Sequence, residues 1–346
     1  MFENSTRTEL GDLGEFGLIN HLAEHFVPNL PDTVCGIGDD AAVFDMGDKY
    51  GLVTSDMFLE GIHFDLTFHP IKHLGYKVVA ATLSDISAMN GIPKRILINI
   101  GLSNRFSLEA VEELYLGIKM ACEKYNIDLV GGDTSASPKG LFISATALGE
   151  VEKNKIVYRK GCKVNDLLVV SGDVGGAYMG LQILEREKRV FLEHPTMQPD
   201  IERHDYIVGR QLKPETRTDV VDLLDSLKII PTSMIDVSDG IAGEIYHLGK
   251  QSNVGFDIYE NKLPIDPQTV EQAVEFGLNP SVAALNGGED FELLFTVDPK
   301  DYEKIKGNMD LTIIGHVTET PGKYRLITAS GNAFDITAQG WGVIAE

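Results

Sequence analysis

The stretch IKHLGYKVVAATLSDISAMNGIPKRILINI, residues 71–100, decides the fold. Ile71, Leu74, Val78, Ala81, Thr82, Asp85 and Met89 recur at helical spacing on one mainly apolar stripe, which predicts a helix over Ile71–Asn90. Gly91-Ile92-Pro93 punctuates its end, and Ile96-Leu97-Ile98-Asn99-Ile100 has the partly alternating pattern of a sheet strand, Arg95–Leu102. Working outward, strands are expected at Ala41–Phe44 and Gly51–Ser55, a second helix from Ser107 to Asn126, and strands at Ile127–Val130 and Leu141–Leu148. The order ββαβαββ implies one sheet with helices on one face, an α/β chain of the α+β type.

Around Glu150–Asn154 the composition becomes polar, which divides the chain into an N-terminal domain, 1–150, and a C-terminal domain, 151–346. The second is expected to hold strands at Leu167–Val170, Met234-Ile235, Gly255–Tyr259, Phe291–Val297, Leu311–Val317 and Tyr324–Ile327. Helices are expected near Ala177–Arg186, Thr216–Leu227, Ile241–Ser252, Pro267–Phe276 and Pro299–Lys306, with Glu187–Asp205 as the candidate mobile loop.

The 346 residues are 43% apolar and 24% charged, the composition of a globular protein rather than a disordered or fibrous one. Thirty Lys and Arg against 52 Asp and Glu give a net charge of −22. That charge repels nucleic acid and anionic membranes, and phosphorylated substrates too unless metal cations intervene. Cys35, Cys122 and Cys162 form no CxxC pair, so neither a disulfide framework nor a zinc site is expected, and a reducing cytoplasm is. The polar start Met1–Leu10 and the absence of a long apolar run argue against export or a membrane anchor.

The acids fall in short glycine- or serine-flanked motifs: Gly36-Ile37-Gly38-Asp39-Asp40, Thr54-Ser55-Asp56, Leu83-Ser84-Asp85, Gly131-Gly132-Asp133, Ile235-Asp236-Val237-Ser238-Asp239-Gly240 and Gly287-Gly288-Glu289-Asp290. Any one of these is equally a turn. Six together suit a shared divalent-ion site, because hard cations such as Mg²⁺ take oxygen ligands and small neighbours permit close approach. Asp85 is the sharpest case, an acid where the stripe calls for leucine: if buried it should be paired, hydrogen-bonded or bound to metal, and the alternative is a helix exposed on that side. Acids gathered at ~4 Å repel by about 4 kcal/mol per pair at an effective dielectric of 20, so the site is looser without cations.

Gly36-Ile37-Gly38-Asp39-Asp40-Ala41 fits GxGxxA formally, but two acids stand where a pyrophosphate would lie and a strand follows, so the dinucleotide reading fails. P-loop, HExxH and GxSxG motifs are absent. His63 suits either a substrate phosphate or an ordinary loop histidine. Arg159 suits a phosphate clamp or a plain surface position. Tyr115 lies on the apolar stripe of its helix and reads as core. Trp341, the only tryptophan, suits stacking on a cationic ring or simple packing.

Taken in order, Gly-Ile-Gly-Asp-Asp-Ala-Ala-Val (36–43), Thr-Ser-Asp-Met-Phe-Leu-Glu-Gly-Ile-His-Phe (54–64), Ala-Ala-Thr-Leu-Ser-Asp-Ile-Ser-Ala-Met (80–89), Val-Gly-Gly-Asp-Thr-Ser (130–135), Ile-Asp-Val-Ser-Asp-Gly (235–240) and Asn-Gly-Gly-Glu-Asp-Phe-Glu-Leu-Leu-Phe (286–295) resemble the thiamine-monophosphate kinase family. Several of these motifs are shared across the aminoimidazole ribonucleotide synthetase-like superfamily. Glu-Gly-Ile-His-Phe, Gly-Gly-Glu-Asp-Phe-Glu and a terminal Gly-Trp are more specific to the kinases. The resemblance implies a two-domain fold whose N-terminal sheets pair in a homodimer and whose C-terminal domain holds a mixed sheet. It implies ATP and several Mg²⁺ in the cleft between the domains, and transfer of the ATP γ-phosphoryl group to thiamine monophosphate. It implies a metal set of Asp40, Thr54, Ser55, Asp56, Asp85, Asp133, Asp236 and Asp239, with Asp85, Asp133 and Asp236 central to catalysis. Tyr115, Gly132, Asp133, Arg159 and Ser238 are the implied nucleotide contacts, and His63, Glu289 and Trp341 the implied substrate contacts. Cys162, Asn165 and Glu244 depart from the family pattern, which leaves the loop at Arg159 less defined than the metal set. The rivals are a sister ATP-using enzyme of the superfamily and a non-catalytic MgATP-binding module.

Overall fold

The computed structural model describes residues 10–337. After helix α1 (Leu10–Ala23), a first sheet is built from β1 (Thr33–Cys35), β2 (Ala42–Asp45), β3 (Lys49–Leu59), β4 (Ile92–Leu102), β5 (Asp128–Gly131), β6 (Thr134–Ala136) and β7 (Phe142–Glu152). Its strands run in the order β1-β2-β3-β7-β4-β5, with β6 also paired to β4. β4 runs antiparallel to β7 and parallel to β5 and β6, so the sheet is mixed. Helices α2 (Ile71–Ala88) and α3 (Leu108–Tyr125) interrupt it. α2 packs against β3, β4 and β7, and α3 lies on α2, so the helices cover one face as expected.

Sequence chemistry accounts for these elements. Ser107 caps α3 by accepting a hydrogen bond from the Ala110 N–H at 3.3 Å, and Asn126 ends it in the left-handed conformation. β3 is longer than the expected Gly51–Ser55 because it pairs with β7 along its whole length, from Lys49 opposite Glu152 to Leu59 opposite Phe142. The short strands β1 and β6 carry too few residues to leave an alternating signal.

A second mixed sheet follows, made of β8 (Leu167–Ser171), β9 (Ser233–Asp236), β10 (Gly255–Tyr259), β11 (Leu293–Val297), β12 (Leu311–Thr318), β13 (Tyr324–Ile327) and β14 (Ala333–Asp335). The order is β14-β13-β10-β12-β8-β11-β9, with β10 and β13 parallel. Its helices are α4 (Gly176–Glu193), α5 (Asp205–Leu212), α6 (Thr218–Ser226), α7 (Ile241–Ser252), α8 (Pro267–Glu275), α9 (Pro280–Asn286) and α10 (Tyr302–Ile305). α2 also contacts β9, α5 and α6, so it touches elements of both sheets.

The expected loop Glu187–Asp205 is corrected. α4 continues to Glu193, and only a short segment around residues 194–201 is irregular before a helical turn leads into α5. The helix persists because its polar residues are held: Lys188 pairs with Asp65 at 2.5 Å, and Glu187 accepts from the Asp200 N–H at 3.0 Å. Among the described residues, no helix is long and apolar enough to cross a membrane.

Candidate active site

Three carboxylates converge from distant parts of the chain. Asp40 comes from the loop before β2, Asp85 from the last turns of α2, and Asp236 from the end of β9. One oxygen of each lies within 4.8 Å of the others. α2 organises them: its Ser84 hydroxyl donates to Asp236 Oδ2 at 2.7 Å, and Thr54 of β3 donates to Asp85 Oδ2 at 2.5 Å. Strand alternation places Thr54 and Asp56 on the face toward α2.

The electrostatics follow from this crowding. Burial, then the fields of Asp56, Asp236 and Asp40, push the Asp85 carboxyl well above the ordinary aspartate range, opposed by the Thr54 hydroxyl. Burial, then Asp40, raises Asp236 to about 7. Burial also raises Asp56. Two unit negative charges 4.8 Å apart repel by about 3–4 kcal/mol at an effective dielectric of 20. Asp40 Oδ2 is buried without a hydrogen-bond partner. A buried, orphaned carboxylate oxygen beside two further acids is a donor set suited to a hard divalent cation.

Arg159 faces this cluster and donates from Nη2 to Asp40 Oδ1 at 2.6 Å, while its main-chain N–H points to Asp39 Oδ1 at 3.2 Å. Asp39 is raised to about 7, by burial first and then by Asp40. The Glu244 side chain accepts from the Asp239 N–H at 2.9 Å, which ties the turn after Asp236 to the start of α7.

The remaining expected residues divide. The Ser55 hydroxyl bonds the Ala145 carbonyl at 3.2 Å and the Thr146 hydroxyl at 3.0 Å, on the sheet face away from Thr54 and Asp56, so its side chain does not join the cluster. Asp133 is exposed in the turn between β5 and β6 and is not among the three converging acids; its carbonyl accepts from the Ile100 N–H at 2.9 Å. Gly132 lies so close to β4 that a Cβ would stand 1.8 Å from the Ile98 carbonyl oxygen. Tyr115 is half-buried against the first core and lines a groove of about 680 Å³ with Ile118, Asn126 and Leu129, so it is both core and wall. The Ser238 carbonyl accepts from the Glu289 N–H at 2.8 Å. Trp341 lies outside the described residues.

His63, Asp239 and Glu289 meet in a cavity of about 420 Å³ walled also by Phe64, Phe68 and Tyr178. His63 Nδ1 accepts from the Leu59 N–H at 3.1 Å, which puts the proton of the neutral ring on Nε2. Burial lowers its pKa, partly offset by Glu289. Asp65, Glu185, Asp239 and Glu289 against Lys188 leave the lining net negative, and aromatic walls with an acidic rim suit a cationic heterocycle. Because Asp239 follows Asp236 by three residues, the cavity adjoins the carboxylate cluster.

Several contributors carry little sequence signal. Ser84 and Asp39 lie within the acidic motifs without standing out from them, Gln211 is an ordinary polar residue, and Lys77 is marked only by its place in the helix. It stands three residues after Leu74 and four before Ala81, a cation at a core position of the same stripe that singled out Asp85.

The class comes first from comparison with known proteins: residues 38–151 match the model for AIR synthase related protein, N-terminal domain. The thiamine-monophosphate kinase of Aquifex aeolicus (strain VF5) is 35% identical over 91% of this chain and 95% of its own length. That of Bacillus subtilis (strain 168) is 33% identical over 89% and 92%. A solved structure, "AaThiL complexed with AMPPCP and TMP", superposes with a TM-score of 0.82 at 32% identity, covering 97% of this chain and 98% of that one. The chain belongs to the thiamine-monophosphate kinase family.

Proposed function

We propose that the chain transfers the γ-phosphoryl group of ATP to thiamine monophosphate, yielding ADP and thiamine diphosphate. The observation that carries this reading is the meeting of Asp40, Asp85 and Asp236 within 4.8 Å beside an aromatic, acid-rimmed cavity. The cluster suits phosphates through cations and the cavity suits a charged heterocycle, the two ends of a thiamine phosphate. Family membership and the resemblance to a relative's complex with AMPPCP and TMP support the same assignment.

Asp40, Asp85 and Asp236 would hold Mg²⁺, with Thr54, Ser55, Asp56, Asp133 and Asp239 completing the set, Ser55 through its main chain. Bound there, Mg²⁺ supplies positive charge to phosphate oxygens that a protein at −22 otherwise repels. Arg159 adds a guanidinium that can exchange Asp40 for a phosphate, and Tyr115, Gly132 and Ser238 border the nucleotide. His63 offers Nε2–H to the substrate phosphate and Glu289 receives the heterocycle; Trp341, outside the described residues, is a substrate contact on the family resemblance alone. The bond between the γ-phosphorus and its bridging oxygen breaks to ADP as a new bond forms to a phosphate oxygen of the acceptor. That oxygen is already ionised, so no side chain need act as a strong base, and alignment does most of the work.

Residues 1–150 and 151–346 act as two domains about this cleft. The face of the first sheet away from α2 carries Val53, Met57, Leu97 and Leu148, with Met57 well exposed, which supports pairing of two such sheets in a homodimer. Its three cysteines are free thiols, in keeping with a cytoplasmic setting.

The test is an acceptor panel: the protein is incubated with ATP and Mg²⁺ plus thiamine monophosphate, thiamine or an aminoimidazole precursor, and products are separated chromatographically. Thiamine diphosphate from the monophosphate alone is expected. Product from another acceptor, or ATP binding with no product from any, contradicts the assignment.

A further inference from the structure

The Lys77 side chain is completely buried in α2 and lies outside the residues assigned above to metal, nucleotide or substrate. A buried ammonium is costly to desolvate, and an apolar residue of similar length would pack beside Leu74 and Val78 without that cost. Its partner is Glu289, 212 positions away in sequence, with Nζ at 2.9 Å from Oε2. Gln211 Nε2 from α5 donates to the same oxygen at 2.7 Å. Neither donor engages Oε1, and Glu289 lines the cavity.

The backbone has been bent to the same end. Glu289 and Phe291 both lie in the left-handed region, at φ 65° and 52°, an unfavourable setting for side-chain-bearing residues that persists only where the surroundings over-determine it. Here they do. The Glu289 N–H donates to the Ser238 carbonyl, the Phe291 N–H to the Val237 carbonyl at 2.9 Å, and the Val237 N–H to the Glu292 carbonyl at 2.7 Å. Gly288 allows this approach, since a Cβ there would stand 2.3 Å from the Ser238 carbonyl oxygen. A strained loop, a buried cation and a buried amide converge on one carboxylate.

We propose that Lys77 is a positioning residue for substrate recognition: with Gln211 it locks Glu289 Oε2 and presents Oε1 to an N–H donor of the substrate heterocycle. The proposal rests on reading the cavity as the thiamine monophosphate site. Lys77 acts through Glu289, so its loss weakens the acceptor and leaves the nucleotide end untouched.

The experiment measures kcat and the KM values for thiamine monophosphate and ATP in wild type, Lys77→Met, Glu289→Gln and the double variant. Lys77→Met is expected to raise the KM for thiamine monophosphate about tenfold or more, the scale of a lost charge-assisted hydrogen bond. The KM for ATP and kcat are expected to stay within about twofold, and the double variant to be no worse than Glu289→Gln alone. Gln211→Leu, which removes the other donor to Oε2, is expected to move the same KM and serves if Lys77→Met does not fold. An unchanged KM for the acceptor, additive single effects, or a parallel rise in the KM for ATP overturns the role of Lys77. A wild-type protein that makes no thiamine diphosphate overturns the reading of the cavity, and the role with it.

Discussion

Asp236 shows how a single carboxyl couples site chemistry to stability. Its pKa of about 7 in the folded chain, against an ordinary value of 3.8, means that the folded state keeps a proton that the unfolded chain has already released. Stability in the absence of metal therefore falls as pH rises from about 4 to about 7. On the proposed metal role, divalent ions would bind the deprotonated cluster and offset that loss, so the rise in Tm on adding Mg²⁺ should grow over the same window. Melting curves in EDTA and in Mg²⁺ across this range check both slopes, and Asp236→Asn should flatten them; a metal-free Tm that climbs with pH in wild type contradicts the sign. The acids themselves were legible because each sits in a short glycine- or serine-flanked motif. Their partners were not: Ser84 and Gln211 are ordinary polar residues until the fold turns them toward Asp236 and Glu289. Ser55 misled for the reason that adjacent strand residues point to opposite faces, so a motif of three consecutive residues cannot place all three side chains in one site.

Among the elements, α2 has the widest reach. It presents Ser84 and Asp85 to the cluster and Lys77 to Glu289 beneath the cavity wall, and its own position is fixed by a close crossing with α3. The crossing depends on two glycines: a Cβ on Gly75 would stand 2.1 Å from the Leu114 carbonyl oxygen, and one on Gly117 would stand 1.8 Å from that of Lys72. Gly117→Ala should therefore force the helices apart, costing about 1–3 kcal/mol and carrying Asp85 and Lys77 out of register. Thermal melting together with kcat/KM for both substrates checks this, and a variant of native Tm and full activity would show that the crossing does not set the site. The helix was readable from its stripe, and its C-terminal end from Gly91 and the proline two residues on. α5 and α9 were not. α9 has seven residues, too few for a periodic signal, and Asn279 followed by Pro280 is its one local start signal. α5 has eight, preceded by a polar stretch that reads as loop.

At the scale of the whole molecule, the net charge of −22 and the site explain each other. Two anionic substrates must be brought together by a protein that repels both, and on the proposed function the carboxylates that add to the repulsion are those that would gather cations. The order of the longer strands and of α2 and α3 in the first sheet was visible because α2 and the strand after it carry contrasting periodicities, while β1 and β6 were not. The long-range pairing of β8 with β11 and β12 in the second sheet was not, since pairing partners leave no local mark. The most direct measurement is the yield of thiamine diphosphate and ADP from the wild-type protein with ATP and thiamine monophosphate, titrated with Mg²⁺ from an EDTA-treated start. The account predicts no transfer without the metal and equal amounts of the two products rising together as Mg²⁺ is added. Transfer that persists in EDTA, or ADP released without thiamine diphosphate, would contradict it.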